Sequence, residues 1–371
     1  MKVGFFAPMP PAPTGVADYA SALFNALRKH GNVELNDAEA EVALYHVGNN
    51  HLHREIYARA IEYPGVVVLH DAVLHHFFLG TLEERAYVEE LVGNYGEWSR
   101  GMAEELWSNR ARSATDPRYF DYPMLKSIAT RSRAIIVHNP AAAAAVRRHA
   151  PGAPGTCIVE IPHLFVAPEL PDAAETLRFR AGLGLGPGTL LVAVFGHMRE
   201  SKRLPAIVRA MHNAWKAGAD ARLLIAGAFA STDLERAAAS LLADSRILRT
   251  GYLAEPDFWR YAAAADVCVN LRFPTAGETS GIATRMMGIG KPVVFTAGQE
   301  IARIPENACL RVDAGAAEEE MLEGIIVWLA RDREAATEIG KRAARHIASE
   351  HAIEKVAAKY WEVLGGLTKN V

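Results

Sequence analysis

Short apolar runs recur along the chain, each followed by a longer stretch whose composition suits a helix. In the first half the runs are KVGFFAP, VALYHV, GVVVLHD, AIIVHN and TCIVEIP, separated by helix-compatible segments at 16–30, 51–62, up to about 112, and 140–149. Strands alternating with helices predict a parallel sheet covered on both faces. Around 166–188 the sequence VAPELPDAAETLRFRAGLGLGPGT loses the strand pattern and collects proline and glycine, which reads as a linker or hinge. The alternation then resumes with LLVAVFG, ARLLIAGAF, RILRTGYL, DVCVNLRFP, PVVFTAG and ACLRVDAG. The pattern predicts two α/β halves in tandem, Rossmann-like domains at 1–165 and 185–350. The last segment, AAKYWEVLGGL, spaces its apolar residues along one helix face and could pack on either half.

Composition narrows the partners. Of 371 residues half are apolar and 22% charged, more than one core usually organises. The net charge is −3 and the 40 basic residues form no run, so nucleic acid is not an expected partner. Cys157, Cys268 and Cys309 lie far apart and form no CxxC pair, arguing against a disulfide framework or structural zinc and fitting a reducing cytoplasm. No run approaches the roughly 20 apolar residues of a membrane span, and the first residues do not form a signal peptide. Peripheral contact with the inner membrane face stays open.

In open parallel sheets ligands bind beyond the carboxyl ends of the strands, and the polar residues concentrate there. The stretch FPTAGETSGIATRMMGIGKPVV places Glu278 before Thr279, Ser280 and Gly281 at a predicted helix start, where the 279–282 amides, Ile282 included, suit an anion. Glu278 beside them suits hydroxyl groups, as on a sugar; the competing reading is a helix N-cap at Thr279 or Ser280. FGHMRESKRL adds His197, Arg199, Lys202 and Arg203 after a strand, cations that could meet phosphate or form a solvated basic loop. PPAPTGVADYA offers Gly15 alone, without the GxGxxG of a dinucleotide site. VVVLHDAVLHH and YHVGNNHLH place His70, Asp71, Asn49 and Asn50 after strands, either a polar sugar or acceptor cavity or a His-Asp metal site.

Together these motifs resemble the family-4 retaining glycosyltransferases of the GT-B fold, over nearly the whole chain. The resemblance rests on an ordered set: Gly196 and Lys202, IAG ending at Gly227, Gly251-Tyr252, AADVCV at 264–269, Glu278-Thr-Ser-Gly281 and Gly290-Lys-Pro-Val293. It implies two Rossmann-like domains facing across a cleft, an acceptor domain first and a donor domain second. A final helix at about 352–371 would return to the first domain. The implied donor is a UDP- or GDP-type sugar, with Lys202 on the diphosphate, Glu278 on sugar hydroxyls, 279–282 on phosphate or sugar, and Tyr252 flanking the base. Gly15 would approach donor phosphate and acceptor, and His70 the reacting sugar. No cofactor or metal is implied, and the acceptor is a glycan, a small metabolite or a lipid-linked saccharide.

Two departures stand out. His197 occupies the place of the expected basic residue after Gly196, so that Arg199 is the candidate substitute. The family's second glutamate, eight residues after the first, is replaced by Met286 with Arg285 beside it. The missing glutamate makes a GT-B binding protein that has lost catalysis one alternative, and the His70-Asp71 pair makes a His-Asp metal-dependent hydrolase another.

Overall fold

The computed structural model describes residues 1–151 and 157–368. They form two compact units. The first comprises Met1–Val166, Pro274–Thr279 and the chain from Glu350 onward; the second comprises Ala167–Phe273 and Ser280–Ser349.

The first unit is built on six strands: β1 (Lys2–Phe6), β2 (Asn32–Leu35), β3 (Val42–Val47), β4 (Val66–Leu69), β5 (Ala134–Val137) and β6 (Cys157–Glu160). All pair in parallel in the order β2-β1-β3-β4-β5-β6. Successive side chains point to opposite faces. Val67, Leu69 and Ile135 join one core, while Val66, Val68 and Ile136 join the other. This two-sided burial explains why the strands read as unbroken apolar runs. Strand β2 escaped the pattern because it lies at the sheet edge and buries only Val33.

The helical region expected up to residue 112 is divided into His75–Thr81, Glu84–Tyr95 and Arg100–Ser108. Gly96, at φ +98°, provides the turn after the second of these. The final helix, Ile353–Thr368, packs on the first unit, with Val356, Ala357, Tyr360 and Leu364 in the core with Val3, Phe5 and Leu23. Its Tyr360 hydroxyl shares a 2.8 Å hydrogen bond with Tyr19 of the helix Gly15–Leu27.

The second unit carries β7 (Leu190–Phe195), β8 (Ala221–Ala226), β9 (Ile247–Arg249), β10 (Val267–Asn270), β11 (Val293–Thr296) and β12 (Leu310–Val312). They form a parallel sheet in the order β12-β11-β10-β7-β8-β9. Read from β9, this is the strand order of a Rossmann sheet.

The stretch read as a linker contains a helix, Ala173–Gly182. Asp172 and Glu175 form a capping box at its start, a signal present in the sequence and masked by the surrounding prolines and glycines. Its buried Arg180 donates to the carbonyls of Ala264 (2.5 Å) and Thr189 (2.6 Å) and pairs with Asp266 at 2.9 Å. Asp266 in turn accepts from the Leu191 amide at 2.7 Å, so the helix is fastened to the starts of both β7 and β10.

Candidate functional site

Ligands of doubly wound sheets collect where the strand order reverses. In the second unit that point lies between β7 and β10, which pair directly. The turn after β7 is shaped by two glycines. Gly196 has φ +83°, and a Cβ on Gly227 would lie 2.2 Å from the Gly196 oxygen, so only glycine allows the ends of β7 and β8 to approach this closely.

Lys202 follows and is buried, with 5% of its surface exposed. Its Nζ donates to the Phe195 carbonyl at the end of β7. A Cβ on Gly196 would meet that Nζ at 3.3 Å and Ile282 at 3.7 Å, so the ammonium lies across the glycine beside the start of the helix Gly281–Gly288. Ser280 is the N-cap, with its Oγ accepting from the Ala283 amide at 3.2 Å and donating to Asn270 Oδ1 at 3.1 Å. The cap leaves the Gly281 and Ile282 amides as the first-turn donors it does not use.

Lys202 and Arg272, after β10, both act on the Cys268 thiol, whose pKa burial pushes up to about 12 against their charge. Arg272 was missed in the sequence because it stands alone in the loop after β10. His197 and Arg199 are exposed. Desolvation holds the His197 pKa below its ordinary value, with Arg199 and then Lys202 adding to the effect.

The segment 274–279 belongs to the first unit. Ala72 donates its amide to the Ala276 carbonyl at 2.8 Å. Gly277, at φ +70°, packs so closely that a Cβ would lie 2.9 Å from Ala72 Cβ. Asn139 Nδ2 donates to the Gly277 carbonyl and to Thr279 Oγ1, each at 2.9 Å. Within this loop Glu278 Oε2 accepts from the Ala276 amide at 2.9 Å and from Thr275 Oγ1 at 3.4 Å. Thr279 is thus held by Asn139, and Ser280 supplies the cap.

In the first unit the strand order reverses between β1 and β3. Gly15 opens the helix after β1, behind the N-cap Thr14, and a Cβ on it would meet no protein atom within 4 Å. After β3, Asn49 Oδ1 accepts from the Phe77 amide at 2.7 Å, its Nδ2 lies 3.3 Å from His76 Nδ1, and its amide donates to Asp71 Oδ2 at 2.8 Å. Asn50 Oδ1 accepts from the Leu52 amide at 3.0 Å. The Asn50 side chain therefore supports a local turn, whereas Asn49 ties the loop after β3 to the helix His75–Thr81 and to Asp71.

His70 stands in a group of histidines that sequence reasoning did not assemble. His46 lies in β3 and His70, His138 and His163 follow β4, β5 and β6, and all contact the Tyr19 ring, at centroid distances of 6.0, 5.0, 5.2 and 4.7 Å. Burial holds His46 and His70 well below the usual imidazole range, with neighbouring histidines adding to the effect. Burial also lowers His138 to about 4, opposed by its hydrogen bond to the Ile161 carbonyl. The available signal was the parallel between VVVLHD and AIIVHN, two strands each ending in histidine and a polar residue.

Tyr252 is 78% exposed. Arg285 stacks over Phe258 and Trp259, 4.0 and 4.2 Å from their centroids, and pairs with Glu255. Met286 is fully buried. Among the described residues no group of three or more histidine, cysteine or acidic side chains could hold a metal ion. No helix of the described residues is long and apolar enough to cross a membrane.

Residues 189–331 match the family model described as "Glycosyl transferases group 1". No curated protein matches the chain in sequence. Among solved structures the chain is similar to Anabaena HepE in complex with UDP, at TM-score 0.62 and 16% identity, covering 99% of this chain and 100% of that one. The sucrose-phosphate synthase of Thermosynechococcus elongatus gives TM-score 0.66 and 16% identity over 100% and 99%. WaaG, a glycosyltransferase of lipopolysaccharide biosynthesis, gives 0.60 and 15% over 98% and 100%. The chain thus has the GT-B fold, and its second unit carries the glycosyl transferases group 1 match.

Proposed function

We propose that the chain is a metal-independent, retaining glycosyltransferase that moves a hexosyl group from a UDP- or GDP-type sugar to a glycan, metabolite or lipid-linked acceptor. The observation that carries this reading is the placement of Lys202 across Gly196 beside Ile282, at the switch point of the unit that matches the group 1 family. That site offers a compact cation and helix-terminal amides to a diphosphate, and stabilising the departing diphosphate is the main catalytic contribution. The bond from the anomeric carbon to the diphosphate oxygen breaks, and a bond to the acceptor oxygen forms on the same face. The acceptor hydroxyl proton passes to the departing phosphate. Glu278 serves donor-sugar hydroxyls, Tyr252 the base, and His70 the reacting sugar. A UDP-type donor is preferred, because the structurally similar HepE is solved in complex with UDP-glucose.

Purified protein is expected to release UDP or GDP from one member of a nucleotide-sugar panel, with product retaining the donor's anomeric configuration. Activity that survives chelator supports the metal-independent form. The reading fails if no donor is consumed while Lys202→Ala and Glu278→Ala leave nucleotide binding untouched. A second reading, a binding protein that has lost catalysis, is favoured by Met286 and the engaged Arg285, where a ribose-binding acid was expected. Calorimetry showing nucleotide binding without turnover would select it. A cytoplasmic location, with or without contact with the inner membrane face, accompanies either reading.

A further inference from the structure

His46 lies in β3, fully buried, with its Nδ1 2.9 Å from Nε2 of His70. The ring centroids are 5.2 Å apart and the planes differ by 24°, so the rings lie nearly edge to edge along an N–H···N line. One hydrogen lies between the two nitrogens, and either ring could own it. The other nitrogen of His46 decides the matter. His46 Nε2 is buried and has no hydrogen-bond partner, and the Phe5 and Tyr19 rings flank the imidazole at 4.7 and 6.0 Å.

Were His46 the acceptor at Nδ1, its hydrogen would reside on Nε2 as a buried N–H without an acceptor, a rare and costly arrangement. As the donor, His46 leaves only an imidazole lone pair there. A second hydrogen on His46 is opposed by burial, then by His138 and His53 nearby. We propose that His46 Nδ1–H donates to His70 Nε2 and so locks His70 in the tautomer carrying its hydrogen on Nδ1, making His46 a positioning residue for His70.

The surrounding rings follow the same rule. His53 Nδ1 donates to the His46 carbonyl, His138 Nδ1 to Ile161 and His163 Nδ1 to Leu164, each at 2.9 Å, because a carbonyl can only accept. A His70 locked in this way presents an N–H to substrate. It meets an oxygen acceptor, such as a hydroxyl or phosphate oxygen, and does not take up a proton at that nitrogen. The consequence for turnover rests on the proposal that His70 adjoins the transferred sugar.

The test uses the full chain labelled with ¹⁵N-histidine, at about pH 7.5, where burial keeps the His46 and His70 rings neutral. Two-bond ¹H–¹⁵N correlations are expected to show His70 with a protonated Nδ1 and an unprotonated Nε2. A protonated Nε2 on His70 overturns the inference whatever the activity. In His46→Leu the His70 signals should shift toward a mixture of tautomers, whereas His46→Asn, which keeps an N–H near Nδ1, should restore the wild-type pattern. If the chain turns over a nucleotide sugar, kcat is expected to fall at least about tenfold in His46→Leu with KM little changed, and to recover in His46→Asn. Equal kcat in the wild type and His46→Leu overturns the positioning role. If no donor is turned over but the labelled wild type shows Nδ1–H, the functional proposal fails and the tautomer lock stands.

Discussion

Asn139 holds Thr279 through a single hydrogen bond of 2.9 Å from its Nδ2 to the threonine Oγ1. The same nitrogen reaches the Gly277 carbonyl, and Oδ1 accepts from the Ala142 amide to cap the helix Pro140–His149. One side chain therefore joins two tasks, capping the start of a helix and fixing the loop that carries Glu278. Asn139→Asp keeps the cap acceptor but removes both donors, whereas Asn139→Ala removes all three bonds. Asn139→Ala is expected to lose about 1–2 kcal/mol of stability in urea unfolding, the usual value of an N-cap. Asn139→Asp should retain most of that stability, yet both variants should show a lower transfer rate, because each loses the bonds to Gly277 and Thr279. An Asn139→Asp protein with full rate would separate the loop from the reaction.

Lys202 is held by the Phe195 carbonyl over a glycine, so its charge is pre-positioned at the end of β7. Lys202→Met should preserve the packed stem and remove the charge. The expected result is a fall of roughly 10²–10³-fold in kcat, as when one donor to a developing negative charge is removed. Lys202→Arg should not restore it, because the larger planar group cannot occupy the space over Gly196. Initial rates with saturating donor, with circular dichroism as a fold control, check both statements.

The strands and the tandem α/β architecture were legible because the sheets are buried on both faces, making each interior strand an apolar run. Strand β2 was not, since an edge strand with one buried residue carries no such run. In the site, Gly196 and Lys202 could be read as a cation close behind a strand-end glycine. Asn139 could not, because its partners Gly277 and Thr279 are about 140 positions away in sequence. The histidine group was hidden for the same reason: His46, His70, His138 and His163 lie in or just after different strands and become neighbours only when β3 to β6 align. Single-chain spacing likewise gave no sign that Arg285 would pair with Glu255 on another helix.

Arg285 tests whether that pairing is structural. It lies between two aromatic faces and a carboxylate that also accepts from Trp259 Nε1 at 2.8 Å. Arg285→Leu leaves the rings covered but removes the charge, and about 1 kcal/mol of stability should be lost with the cation–π contacts. If the same arginine or its partner Glu255 serves the donor ribose, nucleotide affinity should fall together in Arg285→Leu and Glu255→Gln. Affinity unchanged in both, measured by calorimetry, would confine the pair to packing.

The buried histidines give the first unit a stability that depends on pH. His53 and His138 have folded pKa values of about 4 because burial disfavours the imidazolium, against 6.5 for an ordinary imidazole. Between those values the unfolded chain binds protons that the folded chain does not, so stability is complete above pH 6.5 and declines as pH falls toward 4. By pH 5 each group should have withdrawn about 2 kcal/mol. His46 and His70 are displaced in the same direction and steepen the decline. Asp244, lowered to about 2 first by its hydrogen bond to Arg246, loses its contribution only below about pH 4, so the interval from 6.5 to 5 reports on histidines. Urea unfolding at pH 7.5, 6 and 5 should show this fall, and His138→Asn, which keeps a donor for the Ile161 carbonyl but does not titrate, should remove about 2 kcal/mol of it. A flat profile over that interval would mean that the folded cluster accepts protons as readily as the unfolded chain.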